Sequence, residues 1–140
     1  MTGEVQSLVP PAGWLVQENG SAVLPGDGLE VTAPSGQVVT LQDVIWNEPG
    51  PEGLTMRFRF VAPAIARDGG TVDFETASAD MMALCQGFAL PRLPEVGPVP
   101  SQVIVSLSDR PLPFGEAAPD ATQFFEAYSI VDGQCVWEIY

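Results

Sequence analysis

At 140 residues the chain has room for one hydrophobic core and not for two independent ones. Its 18 acidic and five basic residues give a net charge of −13 and a pI near 4.1, which argues against nucleic acid and anionic membranes as partners. Hydrophobic residues at 46% against 16% charged exclude a disordered chain, and 14 glycines with 14 prolines point to strands and turns.

Residues 1–28 read as an irregular leader, broken at Pro10-Pro11, Gly13, Asn19-Gly20 and Pro25-Gly26-Asp27-Gly28. Short strands are expected around Trp14–Gln17 and Leu29–Thr32. Met1–Pro11 has neither the basic nor the apolar region of a signal peptide, so the expectation is either a cytoplasmic protein or one whose signal has been removed. After the Pro34-Ser35-Gly36 turn, Gln37–Trp46 is rich in β-branched residues and reads as a strand. A loop follows at residues 47–53. Leu54–Ala62 is the clearest strand: Met56, Phe58 and Phe60 alternate with Arg57 and Arg59, one face for the core and one for solvent or an acidic neighbour. The two strands suggest an antiparallel hairpin.

Beyond the Asp68-Gly69-Gly70 turn the period changes. Met81, Leu84, Cys85 and Phe88 fit one face of a helix across Thr76–Leu90, with Ser78 or Asp80 as its cap and Pro91 as its end. Residues 93–100 read as a proline-rich linker. Gln102–Ser108 is a third strong strand, with Val103, Val105 and Leu107 on one face. Residues 109–120 form a long excursion holding three prolines. No apolar run approaches the roughly 18 residues a membrane-spanning helix needs.

At the C-terminus, Asp132-Gly133 is a strong two-residue turn signal. Centring a hairpin there sets Ile130 opposite Cys135 and Tyr128 opposite Trp137, with Ile139 opposite Glu126. Tyr128, Ile130, Cys135, Trp137 and Ile139 then share one face. The competing reading is a helix from Asp120 through Tyr128, capped by Asp120.

Cys85 and Cys135 fall on the apolar faces of the helix and of this hairpin. If the helix packs on the sheet, both thiols point into one core, which suggests a disulfide and an oxidising compartment. The alternative is a pair of buried free thiols acting as small hydrophobes.

The segments Arg57-Phe58-Arg59-Phe60-Val61-Ala62-Pro63, Ser106-Leu107-Ser108-Asp109-Arg110-Pro111-Leu112-Pro113-Phe114-Gly115-Glu116, Ala121-Thr122-Gln123-Phe124-Phe125-Glu126-Ala127-Tyr128 and Cys135-Val136-Trp137-Glu138 resemble a small uncharacterised family of exported proteins from alphaproteobacteria of the Rhodobacter group. The resemblance covers residues 37–140. It implies a cleaved signal peptide and periplasmic residence, and it brings no activity and no functional residues with it.

The chemistry open to the chain is narrow. Without histidine or lysine there is no Ser-His-Asp triad, imidazole zinc ligand, Schiff-base nucleophile or phosphate-loop lysine. No catalytic residue is named, and neither a cofactor nor a metal is expected. Asp68, Asp73, Glu75 and Asp80 lie close together, but their spacing does not match a calcium loop, and turns and helix starts attract acids anyway. Arg57 and Arg59 project from one sheet face and, with Arg110, form a candidate fork for a carboxylate or phosphate. The plainer expectation is pairing with Asp43, Glu48 or other acids on the adjoining strand. Arg110, Phe114 and Glu116 mark the excursion as a candidate partner-docking loop, with Phe114 equally suited to plug the interior.

The expectation is one α+β domain over residues 1–140: the leader, then a core at 29–140. The core is a mainly antiparallel sheet of about five or six strands with one main helix packed on one face. Its function reads as a non-enzymatic, periplasmic binding or accessory domain for an unknown protein partner. An enzyme using carboxylates and arginine on a sugar or small acidic molecule is the alternative. A second is an acidic mimic or inhibitor of a basic partner surface.

Overall fold

The alternation of Met56, Phe58 and Phe60 with arginines builds the centre of the sheet. The computed structural model describes residues 15–16, 22–46, 55–93, 100–113 and 118–138. Among these described residues eight strands form one sheet: β1 (Leu15–Val16), β2 (Ala22–Pro25), β3 (Glu30–Thr32), β4 (Val38–Trp46), β5 (Thr55–Val61), β6 (Gln102–Ser108), β7 (Gln123–Val131) and β8 (Gln134–Trp137). Their order is β1-β2-β4-β5-β6-β7-β8, with β3 paired to β4. All pairings are antiparallel except that of β5 with β6. This is an α+β architecture with more strands than the five or six expected.

β1 and β3 fall within the short strands expected around Trp14–Gln17 and Leu29–Thr32, and the unexpected strand, β2, comes from the segment read as a leader. β2 pairs with Asp43–Trp46 of β4, although no clear alternation announces it. β3 continues along the same edge of β4, pairing with Val38–Thr40. Between them Asp27 and Gly28 adopt positive φ, and the Gly26 N–H donates to the Gln42 carbonyl oxygen at 2.9 Å. The chain thus kinks without leaving the edge. Gly26 has no room for a side chain: a Cβ there would sit 2.0 Å from the Leu41 carbonyl oxygen.

Parallel neighbours need a long crossover, and the segment between β5 and β6 supplies it. It holds a 3₁₀ turn, Pro63–Ile65, and α1, Phe74–Leu84. The helix starts earlier than expected. Asp73, extended at φ −85° and ψ 177°, accepts the Thr76 backbone N–H at 2.9 Å and is the cap. Ser78 and Asp80, the expected caps, lie inside the helix. Its end also differs. α1 continues into a π-helical stretch, Cys85–Ala89, and a last turn, Leu90–Arg92, that contains Pro91. Leu90 keeps right-handed helical geometry at φ −57° and ψ −46°. The wider π turn eases the clash between a proline ring and the carbonyl four residues back, so Pro91 does not stop the helix where sequence rules place the stop.

Met81, Leu84, Cys85 and Phe88 are all buried. They pack on a sheet face made by Val44, Trp46, Met56, Phe58, Phe60, Val103, Val105, Leu107 and Tyr128. Phe88 sits edge-on to Phe58 and Phe60, with ring centroids 6.3 and 5.5 Å away. β7 and β8 form the C-terminal hairpin, with Tyr128 opposite Trp137 and Ile130 opposite Cys135. Positive φ at both Asp132 and Gly133 closes the two-residue turn. The helical alternative for residues 120–128 is therefore overturned: alternation over Gln123–Val131 follows the sheet, not a helix.

Candidate functional site

Because the even-numbered residues of β5 face the helix, Arg57 and Arg59 emerge on the opposite face of the sheet. The register then assembles a small cleft around them. Parallel β6 sets Ser106 beside Arg59 and Ser108 beside Val61. Antiparallel β7 sets Phe125 beside Ser106 and Gln123 beside Ser108. On the other side, β4 places Asp43 opposite Arg59.

A bulge between Leu41 and Asp43 turns Gln42 toward the loop that follows β6. Gln42 Nε2 donates to the Leu112 carbonyl oxygen at 2.6 Å, and the Leu112 N–H donates back to Gln42 Oε1 at 3.3 Å. This two-way clasp holds Leu112 and Pro113 over the arginine face. The result is a cavity of 150 Å³ lined by Gln42, Arg57, Arg59, Ser106, Ser108, Leu112, Pro113, Gln123, Phe124 and Phe125.

Its electrostatics are set by a rigid arginine and a stacked one. Arg59 makes a bidentate pair with Asp43, Nε to Oδ1 at 2.6 Å and Nη2 to Oδ2 at 2.7 Å, with both side chains largely buried. The Arg57 guanidinium lies 5.5 Å from the centre of the Phe125 ring. Phe125 itself is 61% exposed. The Ser108 hydroxyl donates to the Arg110 carbonyl oxygen at 2.8 Å.

Arg110 stands apart from Arg57 and Arg59. Its guanidinium binds Asp109, Nε to Oδ1 at 3.0 Å, and reaches the Asp120 carbonyl oxygen at 3.2 Å. It ties the two ends of the 109–120 excursion together and does not line the cleft. The pairing raises the Arg110 pKa and lowers that of Asp109. Phe114 and Glu116, with Glu48 and Ile139, lie outside the described residues.

A broader, open cleft of 740 Å³ adjoins the first through Gln123 and Phe124, and is lined also by Arg67, Thr71, Asp73, Pro119 and Thr122. Thr122 fixes its geometry. Its hydroxyl accepts the Arg67 backbone N–H at 3.0 Å, and its carbonyl oxygen accepts the Asp109 N–H at 3.0 Å.

The cysteines are joined. Cys85 and Cys135 form a disulfide with Cα atoms 6.3 Å apart, linking the first residue of the π stretch to β8. Both residues are buried. The acids once grouped by sequence are dispersed in use: Asp73 caps α1, Glu75 is exposed, and Asp80 is buried under the β3–β4 turn. Among the described residues, no three His, Cys, Asp or Glu side chains could hold a common metal ion.

A family model described as a family of unknown function (DUF6497) matches residues 15–140. The chain belongs to DUF6497. No curated protein and no solved structure matches this DUF6497 chain. No helix among the described residues is long and apolar enough to cross a membrane.

Several residues of the cleft and of the interior escape a reading of the sequence. Ser106 and Ser108 alternate with Val105 and Leu107, which marks them as off-core but does not say what they face. Only the parallel register brings them to the arginines. Asp80 reads locally as a helix cap or a member of an acid cluster, and Glu126 gives no local signal; neither pattern points to the contacts they make. Asp80 accepts from Ser35 N, Ser35 Oγ and Gln37 Nε2, and Glu126 accepts from Ser78 Oγ and the Tyr128 hydroxyl. Both are structural acids; the partners of Asp80 and the Ser78 partner of Glu126 are distant in the chain, while Tyr128 lies two residues from Glu126.

Proposed function

We propose that the chain is an exported accessory domain that binds a partner or ligand and does not catalyse a reaction. The single observation that carries this reading is the Cys85–Cys135 disulfide inside the core. Structural disulfides persist in oxidising compartments and are rare where glutathione keeps thiols reduced. Closing a loop with a sequence separation of 50 stabilises the fold by about 4 kcal/mol in the chain-entropy model. A domain bolted in this way suits the periplasm, and its strong negative charge suits solubility there.

The clefts support binding over reaction. The one carboxylate lining the broad cleft among the described residues is Asp73, and its side chain is engaged in capping α1. At the edge of the terminal hairpin, Val131, Val136 and Trp137 are each about half exposed and offer apolar contact area.

Thiol trapping in intact cells of the source organism tests the reading. Cells are quenched in acid and treated with a maleimide polymer, with and without prior reduction. The expected result is no added mass without reductant and two adducts with it. Two adducts without reductant would place the chain in a reducing compartment and overturn export.

A further inference from the structure

We propose that the outer edge of β3, with the apolar groove between it and the helix, is the docking site for an extended segment of a partner protein in which basic and apolar side chains alternate. This rests on the reading of the chain as a binding domain and names the place and chemistry of its partner. Three observations point to it.

The first is an open strand edge. β3 pairs with β4 on one side and has no neighbouring strand on the other among the described residues. The Ala33 N–H donates to the Gln37 carbonyl oxygen at 2.9 Å, and the Leu29 carbonyl oxygen accepts the Leu41 N–H at 2.8 Å. Bonded and unbonded positions alternate in an antiparallel pair, so the N–H and C=O groups of Glu30 and Thr32 point away from β4. Such outward groups are the template on which an extended chain adds as a further strand.

The second is the groove beside that edge. Val31 and Ala33 line it from the strand, Ala83 and Gly87 from the helix, and the buried Leu84 and Phe88 close it from within. Its 340 Å³ lies at the low end of the range of about 300–1,000 Å³ for ligand pockets, which suits one or two side chains. A Cβ at Gly87 would meet nothing within 4 Å, so the groove is open at that wall. The third is charge. No arginine or lysine precedes Arg57, so β1–β4 carry acids and no cation. Asp27 and Glu30 are both exposed on this edge. Arg92, which touches the groove-lining Phe88, is engaged there: its guanidinium stacks 3.7 Å over the ring and donates to the Phe88 carbonyl oxygen at 3.1 Å. Val31 packs toward the core, so alternation turns Glu30 and Thr32 to the opposite face. An added strand of alternating character then lays its apolar side chains in the groove and its basic ones beside Glu30. A second copy of this chain matches poorly, because both partners would carry −13.

The test is titration of the ¹⁵N-labelled, disulfide-intact protein with the peptide Lys-Val-Lys-Leu-Lys-Val-Lys. Two control peptides replace every lysine by glutamate or every apolar residue by serine. The expected result is amide shifts at Glu30, Thr32 and Gly87, new hydrogen-exchange protection at the Glu30 and Thr32 amides, and affinity about tenfold or more above either control. Thr32→Pro removes an outward N–H and no bond to β4, and Gly87→Leu fills the groove; each should weaken the peptide about tenfold, with Arg110→Gln unchanged. Melting curves check that each variant is folded, and because the two changes act on opposite walls, either decides if the other does not fold. Shifts without protection at Glu30 and Thr32, equal affinity for the serine control, or no shifts at these residues would overturn the assignment. A dimer of the peptide-free protein with both amides already protected would give the edge to a second copy and overturn it too. Thiol trapping reads the compartment and the titration reads the edge of the purified protein, so a failed docking site and a failed export reading are separable.

Discussion

The Gln86 side-chain oxygen accepts the Cys135 backbone N–H at 3.0 Å, one residue along from the cysteine to which Cys135 is bonded. The π stretch therefore holds β8 twice, once by a covalent bond and once by covering an N–H on its outer edge. Exposed strand edges are templates for unwanted pairing, and a side-chain acceptor laid across one blunts it.

This arrangement predicts graded losses. The double variant Cys85→Ala/Cys135→Ala should lose about 4 kcal/mol in urea unfolding, and reduction of the native protein should produce a loss of the same size. Gln86→Ala should cost about 1 kcal/mol. In hydrogen exchange the Cys135 amide should lose protection in Gln86→Ala with the disulfide intact. Unchanged exchange there would show that the bond does not guard the edge.

A second prediction concerns Asp80. The carboxylate is 1% exposed and accepts from Ser35 N at 3.1 Å, Ser35 Oγ at 2.5 Å and Gln37 Nε2 at 2.8 Å. It pins the β3–β4 turn to the middle of α1. Asp80→Ala strands these donors in the interior and should cost about 3 kcal/mol. Glu75→Ala, on the exposed face of the same helix, should stay within about 0.5 kcal/mol. Urea melts of the two variants decide it.

Acid and alkali should act through different groups. The Thr76 backbone and side chain, hydrogen-bonded to Asp73, hold its carboxyl below the usual value of 3.8. A depressed folded pKa contributes stability above that value, and the contribution is lost as pH falls through the folded pKa. The stability gap between the native protein and Asp73→Ala should therefore be full at pH 7 and shrink below pH 3.8. Tyr128 behaves in the opposite sense. Burial, then the neighbouring Glu126 carboxylate, push its hydroxyl far above the usual phenol value of 10.0. Here the stability is present below that value and lost as pH rises beyond it. In a Tyr140→Phe background, tyrosinate absorbance should rise only with alkaline unfolding, not as a separate step near pH 10.0.

What the sequence made legible was local. Alternation in Met56–Phe60 and Val103–Leu107, the helical face at Met81–Phe88 and the Asp132-Gly133 turn each declare themselves within a few residues. The disulfide was one of two readings, beside a pair of buried free thiols, and rested on both cysteines sitting on apolar faces expected to pack together; the bond is formed. The start of α1 was hidden by Ser78 and Asp80, cap-type residues that lie inside the helix; Phe74 continues the buried stripe seven residues before Met81 but is 49% exposed. The cleft was half visible. Arg57 and Arg59 could be placed on one face, and Asp43 could be suggested as a partner, but Ser106, Gln123 and the Gln42–Leu112 clasp depend on a parallel register and a bulge. No local pattern encodes those.

The kink between β2 and β3 gives the last prediction, and it tests whether the N-terminal strands belong to the cooperative fold. Gly26 lies against the main chain of Leu41, not against a flexible side chain. An added Cβ would fall 2.0 Å from the Leu41 carbonyl oxygen and 2.6 Å from its carbonyl carbon. Neither atom can swing aside, because the Leu41 N–H is held by the Leu29 carbonyl oxygen at 2.8 Å and β4 continues into the central sheet. Gly26→Ala must therefore push the edge strand outward, breaking the Gly26 N–H bond to the Gln42 carbonyl oxygen. The cost should be about 2 kcal/mol or more in urea unfolding, in the range of an overpacked core. Gly28→Ala makes a control for steric crowding: it has open space around its Cβ and only the backbone strain of a φ of +72°. It should cost less than Gly26→Ala. Because Gln42 also clasps Leu112, amide shifts in Gly26→Ala should extend across the sheet to Leu112. Shifts confined to residues 22–32 would mean that β2 and β3 lie on the sheet without governing the cleft.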